Sequence, residues 1–290
     1  VPLAPVPEGR PRRLAFLGTP DLAVPPLQAL VAAGFEVALV VTQPDRRRGR
    51  GSQLSPSPVK AAALELGLPV SHDVDDVLAA GIDLGVVVAF GRLIKPHVLE
   101  RVPMVNLHFS LLPRWRGAAP VERAILAGDD RTGVDLMAVE EGLDTGDVYA
   151  RAEVPIEPDD TLEELRSRLV EVGTGLLVAT LSGGLPAAAP QEGEPTYAAK
   201  IDPSELEIDW TRPAVEVHRL VRLGGAWTTV AGRRLKIWRC HVPPRGEGPV
   251  APAADGPVEL VEVQPEGKPR MAAAAWVNGA AWSSGDPLGT

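Results

Sequence analysis

Three polar residues alternate through an otherwise apolar run, Met104-Val105-Asn106-Leu107-His108-Phe109-Ser110. In an extended strand alternate side chains share a face, so Asn106, His108 and Ser110 are expected on one side, with Val105, Leu107 and Phe109 buried on the other. An amide, an imidazole and a hydroxyl at the carboxyl end of a strand lie where open α/β sheets keep their sites. The prolines and glycine of the following Leu111-to-Pro120 stretch predict a rigid loop beside them. A carboxylate stands in Gly142-Leu143-Asp144-Thr145-Gly146, where the two glycines permit a tight bend. Placed near an imidazole, Asp144 would fix its tautomer and suit a histidine that donates a proton or a hydrogen bond, and Asp147 is the neighbouring alternative. An Asn, a His and an Asp with no metal and no activated nucleophile fit transfer of an acyl group to an amine that attacks directly. Asn106 and His108 would steady the oxyanion.

Several other chemistries fail on the same reading. The single cysteine, Cys240, cannot form an internal disulfide, and His72, His97, His108, His218 and His241 show no metal-binding spacing, so no metal is expected. Gly18-Thr19-Pro20 lacks the dinucleotide-binding glycine fingerprint, no phosphate-cradling Gly-Lys-Ser/Thr loop is present, and Ser110 sits in no nucleophile elbow. The chain is 45% hydrophobic and 23% charged, with no apolar run long enough for a membrane helix. Its net charge is −9, and 18 of 29 basic and 27 of 38 acidic residues fall in positions 1–198, leaving 11 of each beyond. Bulk basicity therefore cannot drive nucleic-acid binding, whereas two local clusters can: Arg46, Arg47, Arg48 and Arg50, and the stretch from Arg212 to Arg239 with seven basic residues and one acid.

The elements that must position these groups alternate. RLAFL at 13–17, FEVALVV at 35–41 and DLGVVVAFG at 83–91 read as strands, separated by helical patterns over DLAVPPLQALVAAG, PVKAAALELG, DVDDVLAAG and IKPHVLERV. Strands apolar on both faces predict a mostly parallel sheet covered on both sides. VDLMAV, VYARAEVPI and a helix from about 161 to 182 complete this part. At 290 residues a second domain is expected. The Gly/Pro/Ala-rich stretch at 183–199 reads as its linker, and AWTTVAG, RRLKIWRC and VELVEVQ read as short strands of a β-barrel-like domain. The boundaries are thus a loose, cytosolic-type extension at 1–12, a catalytic domain at 13–182, the linker, and 200–290. The polar TQPDRRRGRGSQLSP stretch reads as a long, mobile loop.

NLHFSLLPRWRGAAP, with GLDTGD downstream, resembles the signature of the folate-dependent formyltransferase family. FLGTPDLA, TQPDRRRGRGSQLSPSPVKAAALELGLPV, VVVAFGRLIKP, PTYAAKI, IDWTRPAVEVHRLVR, GRRLKIWR and LVEVQPEGKPRM extend the resemblance, in order, to the branch of that family that acts on methionyl-tRNA. The resemblance implies a Rossmann-like catalytic domain and an OB-like barrel that helps hold tRNA. It implies formyl transfer from 10-formyltetrahydrofolate to the amine of methionyl initiator tRNA by a cytoplasmic monomer. Asn106, His108 and Asp144 fall on the family's catalytic positions. Ser110, Leu111, Leu112 and Pro113 fall on its folate-contacting segment, with Val88, Phe90, Arg92, Leu93, Glu141 and Leu143 also expected at the folate, largely through backbone groups. Arg46, Arg47, Arg48, Arg50, Arg233 and Arg234 are the expected tRNA contacts. The nearest alternatives on the same fold are formylation of an amino-sugar nucleotide and hydrolysis of formyl-folate. Two segments depart from the family: Arg222-Leu223 runs directly into Gly224-Gly225-Ala226-Trp227, and HVPPRGEGPVAPAADGP replaces a strand pair, so an incomplete barrel is expected.

Overall fold

The structure, a computed structural model, describes residues 3–48 and 53–289. By its internal contacts the chain divides into two compact units. The first comprises residues 1–120, 131–155 and 166–198. It is built on a seven-stranded sheet of β1 (Arg13–Gly18), β2 (Glu36–Val41), β5 (Val70–Ser71), β6 (Leu84–Val88), β7 (Met104–His108), β9 (Arg131–Ala138) and β10 (Val148–Pro155), with β3 (Arg46–Arg48), β4 (Gln53–Ser55) and β8 (Arg116–Gly117) lying outside it. The order is β10-β9-β7-β6-β1-β2-β5, parallel from β7 through β5 and antiparallel at β9 and β10. All five residues of β6 are buried, as a run apolar on both faces requires when both faces are covered. The parallel strands β1, β6 and β7 end at one edge, which gathers the loops after Gly18, Val88 and His108.

Several segments differ from the sequence reading. The 73–81 segment forms only a 3₁₀ turn at Val74–Leu78, capped at its start by Asp73, which accepts from the Asp75 N–H, and ended before Gly81, which turns the chain at φ 60°. The helix predicted over 94–102 shrinks to Pro96–Leu99. The arginine-rich stretch expected as loop pairs its arms as an antiparallel hairpin, β3 on β4, anchored at its base by Lys60 on Asp45 at 2.8 Å. Arg50 lies outside the described residues. Of residues 183–199, read as linker, 183–198 fall in the first unit and carry β11 (Tyr197–Ala198), which runs parallel to β8.

The second unit comprises residues 121–130, 156–165 and 199–290. Its sheet runs β12 (Trp227–Val230), β13 (Arg233–His241), β15 (Pro257–Pro265), β14 (Val250–Pro252), with β16 (Met271–Ala272) also on β15. A strand thus does form in the Pro/Gly/Ala stretch, since Val250 and Ala251 extend along Glu259 and Val258. Leu235, Ile237, Leu260 and Val263 pack against Val217 and Val221 of the helix Ala214–Arg222 and against Trp276 and Trp282, which stack at 5.3 Å. Within this core Cys240 is inert, its thiol pushed up to about 12 by burial.

Candidate active site

Asn106 and His108 stand two residues apart on β7, between β6 and β9. Asn106 is half-buried, and among the described residues its amide makes no hydrogen bond. His108 is 6% exposed and is held through one ring nitrogen, with a carboxylate facing the other. Its Nε2 faces the Trp115 carbonyl at 3.0 Å, where it can only donate, and its Nδ1 lies 3.7 Å from Asp144 Oδ2. That second distance is too long for a hydrogen bond, so the Nδ1 side still has an acceptor or donor to gain. Asp144 Oδ2 accepts from the Gly117 N–H at 2.8 Å, so one carboxylate joins the imidazole to the loop that follows β7. The structure brings Asn106, His108 and Asp144 together, while Asp147 contributes its backbone carbonyl to Ala138 N at 2.8 Å.

The backbone that presents these groups is unusual. The 139–147 loop leaves β9 beside Met104, with Val139 N on the Met104 carbonyl, and turns back through Asp144 at φ 51°. Trp115 is also left-handed, at φ 64°, a region that non-glycine residues enter rarely. Gly117, at φ 120°, passes so close to Ala198 that a Cβ there would meet its carbonyl oxygen at 2.9 Å. At Gly146 a Cβ would lie 2.1 Å from the Ala138 carbonyl oxygen, which explains the second glycine of the motif by close approach.

Ser110 does not continue the strand face. The strand ends at His108, Phe109 is only half-buried, and the fully buried Ser110 hydroxyl donates to the Arg114 carbonyl at 2.6 Å. The Ser110-to-Pro113 turn is fixed by two residues that sequence reading missed. Asp135, opposite His108 on β9 and wholly buried, accepts from Leu112 N at 2.8 Å and from Arg151 Nε and an Arg151 terminal nitrogen at 2.7 and 2.6 Å. The same terminal nitrogen donates to the Leu112 carbonyl at 2.6 Å. The bond to Asp135 pushes the Arg151 guanidinium further up despite its partial burial. The available signal was an acid in the middle of an apolar strand, Val134-Asp135-Leu136, which calls for a cationic partner.

Of the other residues expected at the folate, Val88 and Phe90 have buried side chains and offer a ligand only backbone. The Phe90 carbonyl already accepts from Thr19 Oγ1 and Gln43 Nε2. Between Val88 and Phe90, Ala89 is exposed at φ 46°. Leu93 and Leu143 are 82% and 52% exposed, large apolar groups uncovered near a polar site. Arg92 donates to the His72 carbonyl at 2.9 Å, and Glu141 lines an open cleft with Leu3, Pro96, Leu99, Glu140 and Gly142.

Arg46 and Arg47 are exposed, and the Arg46 guanidinium donates to Gln43 Oε1, the residue that also holds the Phe90 carbonyl. In the second unit, Arg233 and Arg234 are exposed on β13, and Arg234 lies 3.8 Å over the Trp227 ring. Arg270 lies 3.4 Å over Trp238, with Lys236 at 5.7 Å from the same ring. Three other members of the basic stretch are engaged elsewhere. Arg212 pairs with Glu216, Arg239 with Glu164, and the buried Arg222 donates to the carbonyls of Asp160 and Glu157.

Residues 12–181 match the Formyl transferase family and residues 200–281 match Formyl transferase, C-terminal domain. Curated relatives named methionyl-tRNA formyltransferase include that of Symbiobacterium thermophilum, 45% identical over 300 residues and covering 92% of each chain. That of Roseobacter denitrificans is 46% identical over 297 residues, covering 94% of this chain and 97% of the relative. Among solved structures, a methionyl-tRNA formyltransferase from Clostridium thermocellum matches with a TM-score of 0.61 at 16% identity, over 88% of this chain and 98% of that one. An N-formyltransferase from Helicobacter canadensis, in complex with folinic acid and dTDP-3-aminofucose, matches with a TM-score of 0.67 at 18% identity, over 86% and 98%. At these identities the two structural likenesses speak to fold alone.

Proposed function

The chain belongs to the formyl transferase family, and from that premise we propose how its own residues carry the reaction. It formylates methionyl-tRNA, the activity named in relatives that it matches at 45% and 46% identity over more than nine-tenths of its length. The fold would not separate this from formylation of an amino-sugar nucleotide, because both kinds of enzyme share it. The identity of the sequence relatives favours tRNA. The donor is 10-formyltetrahydrofolate and the acceptor the α-amine of methionine on initiator tRNA, handled by a single copy of the chain.

The observation that carries the chemistry is the His108 ring, pinned through Nε2 to the Trp115 carbonyl and open at Nδ1 toward Asp144. When the amine adds to the formyl carbon, negative charge grows on the formyl oxygen. The unpartnered Asn106 amide donates to it, and the imidazolium form of His108 donates from its Nδ1 side. Asp144 balances that imidazolium and orders the water that takes up the amine's proton; collapse of the adduct then breaks the bond from the formyl carbon to N10, and tetrahydrofolate leaves with the proton that the water carried to N10. Because the His108 ring is held before substrate arrives, little reorganisation of that donor is left for the transition state.

For the folate we assign Ser110, Leu111, Leu112 and Pro113, held by Asp135 and Arg151, with the exposed Leu93 and Leu143 as apolar cover and backbone of the 88–92 segment as the polar edge. For tRNA we assign Arg46, Arg47, Arg48 and Arg50 in the catalytic domain at 13–182. In the domain at 200–290 we assign Arg233 and Arg234. There the Trp227 and Trp238 rings, each with a guanidinium over it, offer stacking faces beside positive charge, a combination suited to unpaired nucleotides.

The test is a direct comparison of formyl transfer to charged initiator tRNA, free methionine and a nucleotide amino-sugar. The reading expects turnover on the tRNA alone; transfer to the sugar nucleotide at a comparable kcat/KM would overturn it.

A further inference from the structure

The segment whose composition reads as a linker is fastened to the candidate active site at three places. Ala189 exchanges two backbone hydrogen bonds with Val148, at 2.8 and 2.9 Å. Thr196 accepts from Trp115 N through its hydroxyl at 2.9 Å and from Arg116 N through its carbonyl at 2.9 Å, and β11 follows along β8. Between these ends, Gln191 is half-buried among exposed neighbours. Its Nε2 donates to the carbonyls of Asp144 and Gly146, at 2.9 and 2.8 Å. Its Oε1 accepts from Arg116 Nε and a terminal nitrogen, at 3.1 and 2.6 Å. A primary amide has two N–H donors and one carbonyl acceptor, and all of them are engaged here.

The two loops that Gln191 joins are the ones that hold the imidazole. One carries Asp144, whose carboxylate faces His108 Nδ1; the other carries the Trp115 carbonyl on His108 Nε2 and the Gly117 N–H on Asp144. Both turn through left-handed residues, Asp144 and Trp115, and at Trp115, a bulky side chain, surrounding contacts must impose that conformation. We infer that Gln191 is a positioning residue for formyl transfer, which sets the Asp144 carboxylate at His108 by holding the Asp144 and Gly146 carbonyls against the loop of residues 115–117. This rests on the reading of His108 and Asp144 as the chemical centre. Gln191 touches neither substrate nor reacting atoms; it acts through Asp144.

The experiment uses the full chain and two single substitutions. Gln191→Met removes every bond at similar length, whereas Gln191→Glu keeps an acceptor for Arg116 and loses both donated bonds to the Asp144 loop. A displacement of about 1 Å at a catalytic group lowers rate on the order of 100-fold, so both variants should lose about 10- to 100-fold in kcat. KM for folate and for tRNA should stay within about twofold, and Gly117 amide hydrogen exchange should accelerate as Asp144 Oδ2 leaves it. Unchanged kcat in the Met variant, or a loss confined to KM, would overturn the inference. Gln191→Met is then placed in an Asp144→Asn background. If Gln191 acts through Asp144 it adds little there, and an undiminished second loss overturns the inference. Should Asp144→Asn itself keep full turnover, the reading of the chemical centre fails; loss with Asp144→Asn but none with Gln191→Met sinks only the role of the amide.

Discussion

Replacing Arg151 with Met keeps the aliphatic stem and strips the buried Asp135 carboxylate of its two charged donors, leaving it the Leu112 N–H alone. Removing one partner of a fully buried ion pair costs about 3–5 kcal/mol. Here the Arg151 side chain is 42% exposed while that of Asp135 is 0% exposed, so water reaches the outer edge of the vacated carboxylate. Discounted for that screening, the expected loss is about 2 kcal/mol. Asp135→Asn leaves an acceptor for Leu112 and a guanidinium that can hydrate, and costs about 1 kcal/mol. The order is the diagnostic part, because the buried member is the carboxylate. The assay is native-state hydrogen exchange at the Leu112 amide. At 1.36 kcal/mol per tenfold, exchange should rise about 30-fold in Arg151→Met and about fivefold in Asp135→Asn. The folate KM should rise with it as the Ser110-to-Pro113 turn loosens. A larger effect from Asp135→Asn, or less than a twofold change in both, would refute the clamp.

His108→Ala and Asn106→Ala should each lower kcat by about 10²–10³ with folate affinity little changed, since both donors act on charge that exists only in the transition state; near-wild-type turnover of His108→Ala would end the mechanism. Changing Arg46, Arg47, Arg48 and Arg50 together to Ala should weaken tRNA binding and flatten its salt dependence by about 0.7 to 0.9 in log–log slope per lost phosphate contact. Folate affinity should not move, and unaltered tRNA binding would shift the burden to Arg233 and Arg234. His218 is held below the usual imidazole range by burial and then by the nearby Arg222, against the opposing pull of Asp159 at 3.2 Å. Folding therefore favours its neutral form. That contribution is complete above the unfolded imidazole pKa of about 6.5 and is lost as pH falls below it toward the depressed native value. His218→Gln should flatten the acid-side decline of Tm between about pH 7.5 and 5.5, and an unchanged slope would show that His218 does not cause it.

The placing of Asn106 and His108 on one strand was legible because it depends on short-range periodicity. Leu84–Val88 reads as a covered strand and folds as one, and the alternation of Asn106 with His108 survives because β7 is extended through both. The pattern fails at Ser110, where the strand has ended and a turn replaces the period of two. The helical spacing over residues 73–81 has only a few positions before Gly81 turns the chain, and a single 3₁₀ turn forms there. Composition was least informative over residues 183–199, read as linker, of which 183–198 pack with the first unit. Proline, glycine and alanine give the same signal whether a segment is a tether or an extended strand docked on another loop, and only partners distant in sequence distinguish the two. Those partners lie 47 residues away for Gln191 and Asp144, and 75 for Gln191 and Arg116.

What holds the site is consequently different from what holds the sheet beneath it. Leu14, Phe16, Leu17 and Leu107 are buried to within 1% and keep the strands in place by apolar packing, which tolerates conservative exchange. The loops above bury Leu112 and Ala119 but also hold Trp115 in the left-handed region, which costs a non-glycine residue about 1–2 kcal/mol, and turn through Asp144 at φ 51°. Directional bonds from elsewhere in the chain supply the restraint: Asp135 with Arg151 on one side, Thr196 and Gln191 on the other. A hydrogen bond fixes an atom to a few tenths of an ångström, a tolerance that oxyanion stabilisation needs and that hydrophobic contact alone does not impose. Substitutions in these polar clamps should therefore reduce turnover well before they unfold the chain, whereas substitutions in β1 or β6 should reduce both together.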